Sequence, residues 1–518
     1  MRINDVNIEL SAKKEDYAKI AAKRAHMSIS EVEKCKLLRK SVDARNKNNV
    51  HFVCSFELQR HGEVPQETPE LMIPQLTKNF LRPIVVGSGP AGMFAGLILA
   101  EAGMKPIILE RGKSVSDRKK DVEIFWKLGK LDKNSNVQFG EGGAGTFSDG
   151  KLMSGIKKDI YTDKVLQEFV IAGAPEEILY LSKPHIGTDN LSVVVQNIRK
   201  KIESLGGEYH FETRFCGFET KDNKISSIQV IVQENETIDL SSDNVVLALG
   251  HSSRDTFEML YNKGVNIEQK AFSVGARIEH KQEMINRSQY GKFAANKALG
   301  AADYKLFCHL PNGRGVYTFC MCPGGEVVAA ASEEGRLVTN GMSEFARDKE
   351  NANAALLVGV EKEDFGSKHP LAGMYFQRKI EERAFELGGK SYKAPAQLVG
   401  DFLAGRTSKA KSSVNPTYSC GVVFSDIAPI YPKYITDAMR AAIKDFDHKL
   451  KGFAFPDAVI TAAETRSSSP MRIVRDDNFE CSIKGLYPCG EGAGYAGGIL
   501  SAAADGIKTA MKIIEKYK

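Results

Sequence analysis

The chain has 518 residues, 42% hydrophobic and 26% charged, an ordinary balance for a globular protein with two or three domains and a large core. Net charge is +6, and the first 60 residues carry +5 of it (13 Lys/Arg against 8 Asp/Glu), so the remainder implies no general attraction to nucleic acid. Nine cysteines without framework spacing, and an N-terminus without an apolar h-region, lead us to expect a reducing, cytoplasmic setting and no signal peptide.

Residues 1 to about 60 read as a small α+β unit. Ile3 to Leu10 alternates as a strand, and Asp16 to His26 is helical, with Tyr17, Ile20 and Ala21 on one face. Ser30 to Leu38 reads as a second helix behind a Ser30-Glu31-Val32-Glu33 capping box, and Val50 to Leu58 alternates again. Between them lie Lys34, Lys36, Arg39, Lys40, Arg45 and Lys47, either a solvated face or a docking surface for RNA or an acidic partner. Pro65, Pro69 and Pro74 mark residues 61 to 80 as a linker.

Pro83 to Glu110 then reads strand, glycine turn, helix, strand. Ile84, Val85 and Val86 suit a buried parallel strand. Gly87-Ser88-Gly89-Pro90-Ala91-Gly92 is a G-x-G-x-x-G. Gly87 permits the tight turn, Gly89 lets backbone approach a pyrophosphate, and Gly92 lets helix and strand pack closely. The helix N-terminus offers free N–H groups to phosphate. Glu110 ends the strand Ile107-Ile108-Leu109, placed to accept from an adenosine ribose hydroxyl. The whole is a dinucleotide site. A membrane span over Pro83 to Ala100 is argued against by its glycines and proline and by Glu101 and Lys105 just beyond, and no other span candidate occurs.

Arg111 to Leu131 is mostly helical and holds the only tryptophan, Trp126. Phe139 to Lys151, FGEGGAGTFSDGK, is too rich in glycine for a regular element and is read as a loop that hugs a ligand. Asn190 to Leu205 is a helix, Gly207 to Thr213 a strand, and Ile225 to Val232 with Thr237 to Leu240 a hairpin. Asn244 to Gly250 is another buried strand, followed by His251-Ser252-Ser253. Residues from about 270 to 455 lack a second nucleotide fingerprint and read as an inserted substrate or cap domain. Gly485 to Lys518 is a short strand, a glycine turn with an acid, and a long small-residue helix.

These pieces together resemble the FAD-binding fold of the glutathione-reductase type. The resemblance implies that Leu247-Ala248-Leu249-Gly250 crosses near the flavin and that Gly490-Glu491 holds the ribityl chain. It also implies that the helix at Gly497-Gly498-Ile499 aims its N-terminus at the pyrimidine edge, where it stabilises negative charge on reduced flavin. More narrowly, the chain is similar to a bacterial family of FAD-dependent dehydrogenases. That likeness rests on Ser41-Val42-Asp43-Ala44-Arg45, Pro184-His185-Ile186-Gly187-Thr188-Asp189, Gly275-Ala276-Arg277-Ile278-Glu279-His280, Phe319-Cys320-Met321-Cys322-Pro323-Gly324-Gly325 and Glu464-Thr465-Arg466-Ser467-Ser468-Ser469-Pro470.

The expected fold class is therefore α/β: a Rossmann-like FAD-binding domain with an inserted α+β substrate or cap domain and a small N-terminal α+β domain. The expected division is 1–78, 79–270, 271–455 and 456–518, the second and last segments together making the FAD domain. Candidate cofactor contacts are Gly87, Gly89, Pro90, Ala91, Gly92, Glu110, Arg111, Gly142, Gly143, Thr146, Phe215, Leu249, Gly250, Gly490, Glu491, Gly497, Gly498 and Ile499. The expected partners are a small substrate and an external electron donor or acceptor, NAD(P)H or ferredoxin.

Flavin does the hydride chemistry, so the protein must orient substrate and supply a proton or charge. Glu464 and Arg466 are two apart on an extended segment and share a face. Arg466, its fork held by Glu464, is a candidate clamp for a substrate carboxylate, against the alternative of a structural ion pair. Arg277 and Glu279 read more readily as structural ion-pair residues. His280 is a candidate proton donor, and His185 a further candidate in its loop. Cys320 and Cys322 share a strand face at poor disulfide spacing, so buried thiols are expected and redox activity is left open. Cys489 reads as apolar filler, and no metal signature is present. Two other functions stay open: an RNA-modifying flavoprotein that docks RNA through the basic N-terminal unit, and a flavin-bound module without turnover.

Overall fold

Ile84, Val85 and Val86 are buried on both faces and sit in the middle of a five-stranded parallel sheet. Its order is Leu486–Pro488, Val245–Leu247, Ile84–Val86, Ile107–Leu109, Glu208–His210. The computed structural model describes residues 1–64, 69–77, 80–152, 159–409 and 412–518. Pro65 and the expected boundary at residues 78 and 79 lie outside the described residues. Helices Pro90–Glu101 and Ile499–Glu515 pack on one face of this sheet and on each other. Their approach needs glycine: a Cβ on Gly506 would lie 2.1 Å from the carbonyl oxygen of Ala91. The expected hairpin is present as Lys224–Val232 with Glu236–Ser241, extended by Thr213–Lys221 into a three-stranded antiparallel sheet. The architecture is the expected Rossmann-like α/β fold.

The cap is a seven-stranded sheet in the order Phe307–His309, Gly315–Cys322, Asn351–Val360, Phe272–Lys281, Val459–Glu464, Ala394–Leu398, Val422–Phe424. This corrects the expected boundary at residue 455. Val459–Glu464 pairs antiparallel with both Phe272–Lys281 and Ala394–Leu398, so it belongs to the cap sheet and the chain leaves the cap only after Glu464. A two-stranded ribbon, Ile267–Gln269 against Met471–Ile473, joins the outgoing and returning chain.

The first 60 residues form a three-stranded antiparallel sheet, with Arg2–Ile8 and Val32–Asp43 flanking His51–Arg60. Helix Tyr17–Arg24 buries Tyr17, Ala21 and Ala22. The helix expected over Ser30 to Leu38 is instead a strand. A capping box does form, but two residues earlier: the Glu31 carboxylate accepts from the Ser28 N–H at 2.8 Å and closes only the turn Ile29–Glu31. Two register shifts, between Val32 and Lys34 and between Leu37 and Arg39, break the two-residue alternation that would have marked the strand.

The basic residues here are mostly exposed, and several have local partners. Arg45 pairs with Asp43, Lys40 sits over the Phe52 ring, and Arg39 donates to Ser182 Oγ at 3.0 Å. The unit docks on the FAD domain through backbone, Lys40 N–H to Tyr180 O (2.8 Å) and Ser182 N–H to Lys40 O (2.9 Å). None of its residues lines the large cavity described below. Deleting residues 1–64 is therefore expected to leave the flavin-to-protein ratio unchanged and to lower the melting temperature. A deletion protein with native far-UV CD and no flavin would show that the unit belongs to the cofactor site.

Glu279 predicts a pH effect on stability. It is fully buried on the cap strand, and one oxygen accepts from Thr417 Oγ1 (2.6 Å), Thr417 N–H (3.1 Å) and Asn351 Nδ2 (3.2 Å). Burial pushes its carboxyl up to about 7 against those hydrogen bonds. The folded state thus holds a proton that the unfolded state releases near pH 4.3. Stability is expected to fall as pH rises from there to about 7 and to level off above. Glu279→Gln keeps the three contacts on its amide oxygen. It should flatten that slope and stabilise the protein above pH 7 by about 2 kcal/mol, after discounting the weaker amide hydrogen bonds. Urea denaturation at pH 5 and pH 8 measures it; parallel curves for both proteins would refute it.

Candidate functional site

A cavity of about 600 Å³ runs from the edge of the parallel sheet to the cap. Gly87, Gly89, Pro90, Ala91, Glu110, Arg111, Gly143, Phe215, Leu249, Gly250, Glu491, Gly497, Gly498 and Ile499 all line it, drawn together from separate stretches of sequence.

Its glycines fall into two kinds. Gly87 has φ +99°, and a Cβ there would lie 2.3 Å from the Ala248 carbonyl oxygen. A Cβ on Gly92 would lie 1.9 Å from the Gly87 carbonyl oxygen. These two shape the turn by close packing, and Gly92 itself does not face the cavity. At Gly250, Gly497 and Gly498 a Cβ would meet nothing within 4 Å, and at Gly89 only the Gly143 Cα at 3.8 Å. There the wall is bare backbone against open space, as an extended ligand with a pyrophosphate in its middle requires. These residues fit FAD. The helices Pro90–Glu101 and Ile499–Glu515 both open onto the cavity at their N-termini, where Pro90 and Ile499 line it.

The Glu110 carboxylate is more fully engaged than expected. One oxygen accepts from Ser88 N–H (3.0 Å) and Ser88 Oγ (2.8 Å), the other from Gly112 N–H (2.9 Å) and Gly140 N–H (3.0 Å). It ties the first glycine turn to the second glycine loop, so a ribose hydroxyl would have to share these acceptors. Arg111 stacks over Phe139 at 4.3 Å and pairs with both oxygens of Asp255. Burial pushes the Glu491 carboxyl up, but the His251 ring and the Gly498 N–H hold it below its ordinary value. It stands charged beside the Ile499 helix, ready to accept from a hydroxyl.

Several expected contacts lie behind the wall. A Cβ on Gly142 would lie 2.2 Å from Thr146 Oγ1, and Thr146 donates to the Glu141 carbonyl (3.2 Å), so both brace the loop from within. The Gly490 N–H donates to Asp505 at 2.8 Å, which fixes the turn that presents Glu491.

The expected catalytic set is corrected. His280 is fully buried, donates from Nε2 to the Phe453 carbonyl (2.8 Å), and burial pushes it down to about 4; it is a core residue off the cavity. His185 is likewise packed, against the Phe345 ring and carbonyl. Glu464 and Arg466 both line the cavity but do not hold each other. Glu464 accepts from Arg277 Nε (3.0 Å) and Nη2 (2.9 Å). Arg466 gives Nε and Nη2 to Glu381 (3.2 and 3.1 Å) and Nη1 to Ser252 (3.0 Å) and Ser332 (2.6 Å). Its fork is already on a carboxylate of the protein, so it is not the substrate clamp. Glu279 does not pair with Arg277 either.

The cap contributes the wall that sequence reasoning missed: Tyr304, Thr318, Phe319, Cys320, Met321 and Asn340. Tyr304 is buried, and its hydroxyl has no hydrogen-bond partner among the described residues. Burial raises its phenol well above the ordinary value, so it stays protonated. Lys151, Lys183 and Lys305 also line the cavity; Lys183 pairs with Asp303 at 2.6 Å, and Lys305 is exposed. The signal available in sequence was the Phe319-Cys320-Met321-Cys322 stretch, whose unusual composition identified no partner. Among the described residues no cluster could hold a metal, and no helix is long and apolar enough to cross a membrane.

Comparison with known proteins places this geometry. A profile described as "FAD binding domain" matches residues 81–279, and one described as "FAD-dependent protein, C-terminal domain-like" matches residues 271–467. A domain of unknown function matches residues 1–59. An uncharacterized protein of Clostridium beijerinckii is 49% identical over 533 residues, covering 100% of this chain and 99% of its own. Among solved structures, a flavoprotein/dehydrogenase from Cytophaga hutchinsonii is 10% identical, with 84% of this chain and 78% of that chain covered at a TM-score of 0.37. The flavin-dependent brominase Bmp2 is 14% identical, with 84% and 79% covered at a TM-score of 0.36.

Proposed function

Since this chain belongs to a family of FAD-dependent proteins and is a flavoprotein oxidoreductase with FAD as cofactor, we propose that it transfers hydride between its flavin and a small, unsaturated or carboxylated metabolite held under the cap. FAD supplies the hydride chemistry when bound. The chain supplies the wall, the charge and the proton. The observation that carries this reading is Tyr304, a residue of the cavity wall whose hydroxyl is buried and has no partner among the described residues. An unpartnered buried hydroxyl costs free energy unless a ligand completes it. Protonated, and carried by a residue of the cavity wall, the Tyr304 hydroxyl is suited to donate to a substrate oxygen or carbanion once substrate binding opens it to the cavity. Lys151 and Lys305, which also line the cavity, favour an anionic substrate.

The test is anaerobic. The yellow protein is mixed in turn with NADH, NADPH and reduced ferredoxin, and bleaching of the flavin identifies the donor. The reduced protein is then challenged with a panel of unsaturated carboxylates and carbonyl compounds. Reoxidation by a member of that panel supports the proposal; reoxidation by dioxygen alone overturns it. With the acceptor in hand, Tyr304→Phe is expected to slow substrate reoxidation about 10²-fold at unchanged flavin content. A basic face confined to the exposed N-terminal strand, far in sequence from any cavity residue, gives the RNA-modifying reading no comparable support.

A further inference from the structure

The strand Gly315–Cys322 loses register with Asn351–Val360 between Phe319 and Cys322. Within that break Cys320 has φ +42°, the left-handed region that a residue with a Cβ rarely adopts. Such strain persists only where the surroundings impose it, and it gathers at functional sites. Here Arg277 imposes it. Fully buried and held by both oxygens of Glu464, it donates Nη1 to the Cys320 carbonyl at 2.9 Å. Its remaining donors reach Asn353 and Asn340 at 3.0 Å, so its position is fixed from every side.

The break changes what the two thiols can do. On a regular strand, residues two apart are separated by about 6.6 Å, beyond the 3.5–4.5 Å between Cβ atoms that a disulfide needs. Here the ladder is broken and the backbone turns: Cys322 Sγ donates to the Cys320 carbonyl at 3.3 Å, which folds the second thiol back toward the first residue. Cys320 is partly exposed and lines the cavity, whereas Cys322 is buried behind it. Lys151 and Asp149, across the gap on the FAD domain, act on Cys320 electrostatically.

We infer that Cys320 and Cys322 are a redox-active pair that exchanges two electrons with the flavin, a reading that rests on FAD occupying the cavity that Cys320 lines. In the forward step the Cys320 thiolate and Cys322 thiol form one Sγ–Sγ bond. The Cys322 S–H bond breaks and two electrons reduce the flavin, which takes up the released proton and one from solvent. In reverse, reduced flavin returns the electrons and the disulfide opens. The polarity of the pair suits this. The hydrogen bond from Cys322, then the Arg277 and Lys151 charges, lower the Cys320 thiol against the effect of burial, while the Cys322 thiol is raised. The partly exposed member is thus the nucleophile and the buried one its partner.

Anaerobic titration of the oxidised holoprotein with dithionite tests it. The expected uptake is twice that of the flavin alone. Differential alkylation and peptide mass spectrometry of the oxidised protein should find Cys320 and Cys322 joined, with the other cysteines free. Cys322→Ser should lose the additional electron pair and keep the flavin absorbance. Uptake equal to the flavin alone, or alkylation of both cysteines in the oxidised wild-type protein, overturns the inference. A colourless protein would instead overturn FAD binding, so the two failures are distinguishable.

Discussion

Glu381→Gln is expected to lower the free energy of unfolding by about 3–5 kcal/mol, the cost of breaking a buried ion pair from one side. Glu381 has no exposed surface. Its oxygens accept from Arg254 Nη1 and Nη2 (both 2.7 Å), from Arg466 Nε and Nη2, and from Thr465 Oγ1 at 2.6 Å. Burial pushes its carboxyl up, but Arg254 and Arg466 outweigh burial and hold it far below the carboxylate range. An amide turns an N–H₂ toward one of the two guanidinium groups and leaves both cations buried, with Glu333 as their main remaining anion. Because the folded carboxyl is depressed, its contribution is full above the ordinary glutamate value near 4.3. It is lost as pH falls below that, so wild type and variant should converge in acid. Chemical denaturation at pH 7 and at steps down to about pH 3 reads both effects. Equal midpoints at pH 7 would show that the cluster is not what secures the helix Ala372–Leu387, which carries Glu381, to the cavity wall. Arg466→Lys should likewise register first in the melting temperature, since a lysine cannot span Glu381, Ser252 and Ser332 at once.

Gly89→Trp is expected to abolish FAD retention and to leave the fold intact. A Cβ at this position has only the Gly143 Cα near it, at 3.8 Å, so an indole would extend into the cradle without striking the backbone behind it. Gly92→Ala, three residues on, should do the opposite kind of damage. Its Cβ would lie 1.9 Å from the Gly87 carbonyl oxygen, so strand and helix must separate and stability falls before any ligand is involved. Flavin-to-protein ratio and far-UV CD, measured together, separate the two outcomes. Full flavin content in folded Gly89→Trp would refute this placement of the pyrophosphate.

The cofactor cradle was legible in the sequence because its chemistry is local. Gly87 to Glu110 carries its turn, its helix N-terminus and its acid within one strand–helix–strand unit, and all of these recur in the structure. The strand Val32–Asp43 was not legible, because two bulges remove the alternation while a serine and a glutamate imitate a helix start. The ion pairs were hidden for a different reason. Arg277 meets Glu464 and Arg466 meets Glu381 across strand and helix neighbours that only the folded cap defines. Two residues that share a face on paper, Glu464 and Arg466, thus belong to separate clusters. Tyr304 is of the same kind: what singles it out is a missing partner, and sequence records no partners.

The ribbon of Ile267–Gln269 with Met471–Ile473 sets the two ends of the cap side by side, about 5 Å apart across one ladder. To the nucleotide fold, everything from 271 to 467 is therefore one closed excursion hung from a single neck. Closing a longer loop costs only slightly more than closing a shorter one. A lineage can then enlarge, trim or transplant the lobe without re-threading the sheet beneath it. Selection on what is recognised and selection on how the flavin is held act on separable inheritances, whose chain connection is that one ribbon.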